Sequence, residues 1–328
     1  MTDACCLSHR ISGRGNGWKN PICGMKYETP YEYPYCDFEF DEWNPVQLKC
    51  VPFFTEDCNL VVSASTASGK TVIAEAIMGY ELSKNSMSKV VYVSPLKAIG
   101  NEKHDDWRRH PTFGEYPMVI VSSDNEVTQG DFENSRLIVS TVESMNLRCR
   151  CRDRWIKDIA VLVFDEAHLL MDETRGSGSE SLIMNMTMLN PKCRIVCLSG
   201  TMSNYIEIAR WLKACNQKTT RYVNSDWRPT ELVKSVEIAE DFEQQGKFIV
   251  NEARKIVKAE QKMLVFVHSK AVGERLCRLL KDYNVPCAFY HAGLHQQMRG
   301  KMMADFRDDY SGLNVLVCTS SLGMGVTL

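Results

Sequence analysis

The sequence lacks an excess of either charge, since 39 Lys and Arg side chains stand against 41 Asp and Glu. No general positive field therefore surrounds the chain, and binding to nucleic acid would require a local groove. No apolar run approaches the ~20 residues that a membrane-spanning helix needs, and residues 1–6 lack the basic-then-apolar order of a secretion signal. These absences argue against a membrane partner. They favour an intracellular location, either the cytoplasm of a prokaryote or the nucleus of a eukaryote.

Paired Cys-x-x-Cys spacing is also lacking, although the chain has 14 cysteines. Many of them lie in apolar segments, as at Cys193, Cys197 and Cys318, which favours reduced, buried thiols in a reducing compartment. Residues 1–36 are rich in Gly, Pro, Cys and Tyr without a sustained period. Their Cys and His residues do not have the spacing of a zinc site, so this stretch is interpreted as an irregular extension.

Short apolar runs alternate with helical patterns along most of the chain. At 328 residues with 44% hydrophobic content, the sequence favours about two domains with real cores. The predicted strands are 60–62, 90–93, 118–121, 137–140, 159–164, 195–198, 263–267, 287–290 and 315–318, and the predicted helices include 97–110, 180–189, 269–283 and 295–307. Runs of this kind are typical of parallel sheets covered on both faces, which bind ligands at the carboxyl ends of their strands.

One segment has the pattern of a phosphate-binding loop, between the apolar run 60–62 and the helical pattern 72–77. Small residues let backbone N–H groups surround phosphate oxygens, and the helix N-terminus adds positive partial charge. The pattern predicts that Lys70 reaches the β- and γ-phosphates and that the Thr71 hydroxyl holds Mg²⁺. The predicted nucleotide contacts in the loop are Thr66, Ala67, Ser68, Gly69, Lys70 and Thr71. The strict pattern has Gly where this chain has Ala64.

Two carboxylates follow the predicted strand 159–164 directly. In a protein with a phosphate loop, an acidic residue at a strand end holds Mg²⁺, and this role falls to Asp165. The adjacent Glu166 is placed to orient or deprotonate a water that attacks the γ-phosphate. Upstream of the loop, Gln47 carries an amide that suits the edge of an adenine ring. In isolation, such a glutamine is more often an ordinary surface residue.

Taken together, these segments resemble the superfamily 2 DExH-box helicases from about residue 38 to residue 328. The loop is similar to the family's A-P-T-G-S-G-K-T motif, which accounts for Ala64, and it departs at Ser65 and Ala67. Further segments resemble the family's other motifs in the same order: Pro95-Leu96-Lys97-Ala98, Ser140-Thr141-Val142-Glu143, Asp165-Glu166-Ala167-His168, Ser199-Gly200-Thr201, Val265-Phe266-Val267-His268-Ser269, His291-Ala292-Gly293-Leu294 and 319–326. Three segments are similar to the Ski-like branch of this family: Arg175-Gly176, the linker 225–229 and His291-Ala292-Gly293-Leu294. The linker is most like that of archaeal repair helicases related to helicase Q.

The resemblance implies two RecA-like domains with ATP between them. It also implies that His168, Ser199 and Thr201 couple hydrolysis to movement, and that Gly325 contacts ATP. The residues implied to contact the nucleic-acid backbone are Pro95, Lys97, Thr141, Ser269, His291, Gly293 and Thr319. Hydroxyl side chains and helix N-termini suit phosphates, which gives sequence-independent binding. Helix capping is the alternative for single residues, above all Ser269 and Thr141. The basic run 148–154 is interpreted either as a groove wall or as a solvated helix face, with the second favoured.

The predicted fold class is α/β, with two RecA-like parallel-sheet domains. The predicted divisions are an extension at 1–36, an ATP-binding domain at 37–225 and a second helicase domain at 226–328. The family's motif VI, with its arginine finger, would follow residue 328, and Thr327 stands where the family usually has Asn. We therefore expect the second sheet to be incomplete at its C-terminus. An arginine finger contributes on the order of 10³–10⁵ in rate, so we expect weak hydrolysis by this chain alone.

The sequence thus predicts an ATP-dependent helicase or translocase core that uses Mg²⁺ and moves 3′ to 5′ on single-stranded or forked nucleic acid as a monomer. DNA, in repair or fork processing, is favoured over RNA on the linker similarity. The alternatives are an RNA helicase of the Ski-like type, a translocase that strips proteins without separating strands, and a binding module with little hydrolysis.

Overall fold

The computed structural model describes residues 27–121, 127–174 and 176–319, and it divides the chain into two compact units between Leu232 and Val233. The domain boundary predicted at 225/226 lies a few residues before this division, within the segment that follows the last strand of the first unit. No helix among the described residues has the length and the apolar character needed to cross a membrane.

The first unit is built on a seven-stranded sheet with strand order β3-β4-β2-β5-β6-β1-β7, in which all the pairings are parallel. Its strands are β1 (Asn59–Ala64), β2 (Lys89–Ser94), β3 (Met118–Val121), β4 (Leu137–Thr141), β5 (Ile159–Phe164), β6 (Arg194–Ser199) and β7 (Thr220–Ser225). Its helices are α1 (Pro45–Cys50), α2 (Lys70–Lys84), α3 (Lys97–Arg109), α4 (Gln129–Asn134), α5 (Val142–Cys151), α6 (Gly176–Leu189) and α7 (Tyr205–Asn216).

Successive side chains of a strand point to opposite faces of the sheet, and in this sheet both faces are buried, each in its own hydrophobic cluster. In β1, Leu60 and Val62 belong to one hydrophobic cluster and Val61 belongs to the other. In β2, Tyr92 and Val93 separate in the same way. The prediction of a parallel sheet covered on both faces is confirmed.

The second unit has a three-stranded parallel sheet in the order β8-β10-β9. Its elements are α8 (Phe242–Lys258), β8 (Met263–Phe266), α9 (Lys270–Asp282), β9 (Cys287–Tyr290), α10 (Gln296–Arg307) and β10 (Val315–Cys318). Alternation of strands and helices brings the carboxyl ends of all three strands to one edge, as it does in the first unit.

An aromatic segment, residues 27–43, packs against the core of the first unit although it is mostly irregular. Tyr27 and Tyr33 are buried, with ring centroids 4.9 Å apart in an edge-to-face arrangement. The Tyr33 hydroxyl donates to the Ala76 carbonyl oxygen on α2 at 2.7 Å. On the same helix, a Cβ at Gly79 would lie 2.2 Å from the Tyr35 carbonyl oxygen, so only glycine allows this approach. Residues 27–36, interpreted from sequence as an extension, therefore contribute to this core.

Candidate nucleotide and nucleic-acid sites

The phosphate-loop segment runs from the end of β1 into the first turn of α2, as the sequence predicted. Gly69 caps α2 with a left-handed φ of +74°. A Cβ at this position would lie 2.4 Å from Nε2 of Gln47. The backbone conformation therefore favours glycine here, and a Cβ would also force the end of the Gln47 side chain to move.

Ala67 also has a left-handed backbone, with φ at +61°, and its side chain is exposed. The family's form of the motif has glycine at this position, so the chain carries a Cβ where the loop favours none. A left-handed conformation costs a non-glycine residue about 1–2 kcal/mol. The departure noted in the sequence is thus a point of backbone strain in the loop.

The Lys70 ammonium group lies inside the curve of the loop, where it donates to the carbonyl oxygens of Ala64 at 3.1 Å and Ser65 at 2.9 Å. No described carboxylate forms an ion pair with it. Burial lowers the pKa of Lys70, and the nearby Glu166 and Asp165 carboxylates offset part of this effect by raising it. The site thus holds a partly desolvated cation with acids close by, which suits a phosphate ligand.

Two polar side chains at the start of α1 donate hydrogen bonds to the backbone of the phosphate loop. Asn44 caps α1 and also donates from Nδ2 to the Ser68 carbonyl oxygen at 3.0 Å. Gln47 is buried, completes the capping box with Asn44, and donates from Nε2 to the Gly69 carbonyl oxygen at 3.4 Å. In this structure the Gln47 amide therefore contacts the loop itself, and its predicted role at adenine stays a prediction.

The Asp165 carboxylate follows β5 and has a partner on each oxygen. Its Oδ2 accepts from the Tyr92 hydroxyl at 2.5 Å, and its Oδ1 accepts from the Glu166 backbone N–H at 3.0 Å. Burial raises the pKa of Asp165. Burial also raises the pKa of Tyr92 well above its ordinary value, so this hydroxyl stays protonated and donates.

Glu166, His168 and Ser199 form a connected group between the segment that follows β5 and the last residue of β6. The His168 Nδ1 lies 3.2 Å from Glu166 Oε2 and 3.2 Å from the Ser199 hydroxyl. A hydrogen bond with His168 lowers the pKa of Glu166, and the same bond raises the pKa of His168. Glu166 has a left-handed φ of +53°, a conformation that clusters at functional sites. Of the three predicted coupling residues, the structure joins His168 and Ser199, whereas Thr201 is exposed beside them.

The residues of this edge fit a magnesium nucleotide. The Ser68 hydroxyl is buried and has no hydrogen-bond partner among the described residues, so a polar group in the loop is left for a ligand. Asp165 and Thr71 supply the oxygen ligands that Mg²⁺ prefers. No cluster of three or more His, Cys, Asp or Glu residues with metal-binding geometry occurs in the described parts of the chain.

The predicted nucleic-acid contacts of the first unit lie after β2 and β4, which are neighbours in the sheet. Lys97 begins α3 and, with Thr141, lines the same shallow depression. Thr141 caps α5 by accepting from the Ser144 N–H at 3.3 Å, as the capping alternative expected. Pro95 lines a separate surface cavity of about 500 Å³ together with residues of α5 and the start of α6.

The basic run 148–154 divides between the two interpretations. The Arg148 guanidinium lies 4.8 Å above the Phe132 ring and 3.9 Å from the Asp153 carboxylate, so it is engaged in the protein. Arg150 is exposed and lines the cavity that contains Pro95. Arg150 is therefore the one arginine of this run that lines the surface cavity beside Pro95.

The predicted contacts of the second unit also meet at one sheet edge. Ser269 follows β8 and caps α9, accepting from the Val272 N–H at 3.3 Å. His291 follows β9 and accepts on Nδ1 from the Gly293 N–H at 3.1 Å. Thr319 follows β10 and donates its N–H to the Tyr290 carbonyl oxygen. The ammonium of Lys270 is close by, because a Cβ on Gly293 would lie 2.7 Å from it.

Several sequence predictions lie outside the described residues. These are Gly325 and Thr327 in the last motif, Arg175 after the acidic motif, and the Cys and His residues before Tyr27. Cys36 lies within the described residues and is buried against the core of the first unit.

The sequence matches the DEAD/DEAH box helicase model over residues 44–208, which is half of the chain. The chain belongs to the DEAD/DEAH box helicase family. This helicase chain also matches the helicase conserved C-terminal domain over residues 247–328. The resemblance seen in the ordered motifs is thereby confirmed.

Curated relatives of this helicase chain are named ATP-dependent DNA helicase Hel308. The protein of Methanococcus vannielii is 27% identical across 88% of this chain and 45% of its own length. The protein of Methanocaldococcus jannaschii is 34% identical across 67% of this chain and 18% of its own length. The helicase chain thus spans less than half the length of these relatives.

A solved structure shares the fold. Mycobacterium smegmatis helicase Lhr, determined bound to ssDNA and AMP-PNP, superposes with a TM-score of 0.65 and 22% identity. The match covers 85% of this chain and 40% of that chain. The likeness confirms the RecA-like architecture of the helicase chain.

Three residues at these sites were missed in the sequence. Asn44, followed by Pro45 and Gln47, has the pattern of a helix cap with Pro at the first position and an amide at the third, which was a sufficient signal. Tyr92 looks like one more buried strand residue, and nothing local indicates its contact with Asp165. Lys270 is one of many surface lysines until the fold places it beside Gly293.

Proposed function

We propose that this helicase chain is the core of a nucleic-acid-dependent ATPase that moves 3′ to 5′ on DNA and unwinds it. The observation that carries the proposal is the connected group of Glu166, His168 and Ser199 beside Lys70. A hydrolytic carboxylate is thereby linked through His168 to the carboxyl end of β6. The names of the Hel308 relatives support DNA as the substrate, and the direction is carried over from the family resemblance.

In this proposal the loop binds the triphosphate. Lys70 exchanges its two backbone carbonyl partners for β- and γ-phosphate oxygens, which are stronger acceptors for a cation. Ser68, Gly69 and the neighbouring N–H groups surround the phosphates, and Gln47 recognises the adenine edge. Asp165 and Thr71 hold Mg²⁺. When bound, this ion neutralises charge on the β- and γ-phosphate oxygens.

Glu166 orients the attacking water and accepts its proton. Its pKa is lowered by His168, so the carboxylate is ionised and available as a base at neutral pH. As Glu166 takes the proton, its attraction for His168 weakens, and the link to Ser199 loosens with it. We propose that this change carries the state of the nucleotide to the nucleic-acid contacts. Thr201, in the segment directly after β6, takes part in this coupling.

The proposed contacts to nucleic acid follow the strand ends of each unit: Pro95, Lys97 and Thr141 in the first, and Ser269, His291, Gly293 and Thr319 in the second. Hydroxyls and backbone N–H groups at strand ends and helix starts contact phosphates without reading bases. We further propose that the protein acts as a monomer, inside the cell, on single-stranded or forked DNA.

ATP hydrolysis with and without single-stranded DNA, and separately RNA, tests the proposal. Stimulation by DNA above RNA supports it, stimulation by RNA alone favours the Ski-like RNA alternative, and no stimulation by either polymer favours a binding module. Lys70→Ala should abolish nucleotide binding, because the cation inside the loop is lost. Lys84→Ala is the matched control, since Lys84 lies at the other end of α2 and pairs with Glu81. Unchanged nucleotide affinity in Lys70→Ala would refute the phosphate-loop assignment.

A further inference from the structure

Tyr92 is a polar side chain at full burial in the middle of β2. Its neighbours in the hydrophobic cluster are mostly aliphatic strand and helix residues. A buried tyrosine hydroxyl needs a hydrogen-bond partner. The partner here is Oδ2 of Asp165, the proposed magnesium ligand at the end of the adjacent strand β5.

The Tyr92 ring is itself held by two further residues. Trp107 on α3 packs edge-to-face against it, with ring centroids 4.9 Å apart and planes at 85°. The Trp107 indole N–H donates to Oε1 of Glu75 at 2.8 Å. Glu75 lies on α2, in the turn that follows Lys70 and Thr71. A chain of contacts therefore runs from the phosphate-loop helix, through α3 and β2, to the acidic motif.

We propose that Tyr92 is a positioning residue for Asp165, and that its hydroxyl fixes the carboxylate orientation in which Asp165 serves as a magnesium ligand. This inference rests on the proposed function. Tyr92 lies outside the phosphate loop, and its hydroxyl contacts Asp165. The hydroxyl occupies one lone pair of Oδ2, and the Glu166 N–H occupies one of Oδ1. One lone pair on each oxygen of this fixed carboxylate remains for the ion or its waters.

Mg²⁺ demands nearly ideal octahedral geometry, so a carboxylate that is free to rotate should bind it less well. Groups that orient a metal ligand typically contribute 10–100-fold in metal affinity or activity. We therefore expect Tyr92→Phe, which keeps the ring and removes the hydroxyl, to raise the Mg²⁺ concentration for half-maximal ATP hydrolysis by about 10–100-fold.

The experiment measures ATP hydrolysis across a Mg²⁺ titration, together with binding of a fluorescent ATP analogue in Mg²⁺ and in EDTA. Tyr92→Phe should weaken binding in Mg²⁺ and leave binding in EDTA unchanged, because the loop and Lys70 are untouched. Tyr33→Phe is the matched control. It removes another buried tyrosine hydroxyl of the same unit, one that donates to the Ala76 carbonyl oxygen and does not contact Asp165. It should lower the urea midpoint without moving the Mg²⁺ dependence.

A second variant covers the case in which Tyr92→Phe does not fold. Trp107→Phe keeps a ring against Tyr92 and loses the hydrogen bond to Glu75, and we expect a smaller shift of the Mg²⁺ dependence in the same direction. A parent chain that hydrolyses no ATP at any Mg²⁺ concentration would overturn the proposed function and this inference together. A parent that depends on Mg²⁺, with the same half-maximal concentration in Tyr92→Phe or in a folded Trp107→Phe, would overturn this inference alone.

Discussion

Replacing Ala67 with glycine should stabilise the first unit, although glycine usually destabilises a protein. Ala67 has φ at +61° inside the phosphate loop. Its methyl group is exposed, so almost no buried apolar contact is lost with the substitution. What changes is the backbone strain of the folded state and the freedom of the unfolded chain.

These two effects have opposite signs. Relief of the left-handed conformation contributes about 1–2 kcal/mol of stability. The greater freedom of a glycine in the unfolded chain costs about 0.4–1 kcal/mol. The difference favours Ala67→Gly by about 0.5–1 kcal/mol, which moves a urea midpoint upward by about 0.2–0.3 M at an m-value of about 3 kcal/mol/M.

Tryptophan fluorescence is well suited to this measurement because all six tryptophans precede residue 233. The signal therefore reports unfolding of the first unit alone, and the second unit does not distort the transition. Urea titrations of the parent and Ala67→Gly should give the same m-value and different midpoints.

Gly69→Ala is a control for which we expect the opposite change in stability. It places a Cβ at φ +74° and 2.4 Å from Gln47, and should destabilise the unit by more than about 1 kcal/mol. A lower midpoint in Ala67→Gly, as at an ordinary exposed site, would refute the assignment of strain to this residue.

Three further predictions concern the same edge of the sheet. Glu166→Gln should keep nucleotide affinity and lose turnover in a single-turnover assay; retained turnover would mean that Glu166 is not the base. His168 has a raised pKa and Glu166 a lowered one, so their attraction is present between those two pKa values and is lost as pH rises through that of His168. Because the His168 side chain is half exposed, His168→Gln should lower the free energy of unfolding by only about 0.5 kcal/mol at about pH 6 and by nothing at about pH 9. If the urea midpoints of the variant and the parent differ by the same amount at both pH values, the ion pair is contradicted. Asn44→Ala should cost about 1 kcal/mol of unfolding free energy through the lost cap and weaken nucleotide binding through the freed Ser68 carbonyl; a change in stability alone would limit Asn44 to capping.

The sequence predicted best where one strong pattern dominated. Strands β3, β5, β9 and β10 were predicted at the bounds that the structure gives, because buried parallel strands are short, continuous apolar runs. The phosphate loop and the acid pair were also predictable, since their chemistry requires particular residue types directly after a strand.

Elements with mixed composition were missed. Strand β7 lies at the sheet edge with three of its residues half-buried and one exposed, so its sequence lacks the apolar signal of a central strand. Helix α8 was missed although its apolar residues recur at helical spacing, as at Val250 and Ala253. It lies between the linker at 225–229 and the strand predicted at 263–267, a stretch for which no helix was predicted.

Contacts between distant positions were beyond any local pattern. Tyr92 and Asp165 meet only because β2 and β5 are neighbours. Ser63 on β1 likewise meets Met202 in the segment after β6, where the Ser63 hydroxyl accepts from the Met202 N–H and donates to the Met202 carbonyl oxygen. The first unit's dependence on residues 27–36 was missed for a different reason, since aromatic packing without regular structure leaves no periodicity to detect.

The aromatic segment at residues 27–43 decides where this protein can be trimmed. A shortened chain beginning at residue 44, where the family match starts, would keep the phosphate loop and the acidic motif and lose the rings that cover α2. It would also lose the hydroxyl bonded to Ala76, and Gly79 would face solvent with no carbonyl against it. Such a fragment would present a bare apolar surface on the helix that begins at the phosphate loop, and we expect it to aggregate. We therefore expect a stable form of the first unit to require residues upstream of the family match, from Tyr27 onward.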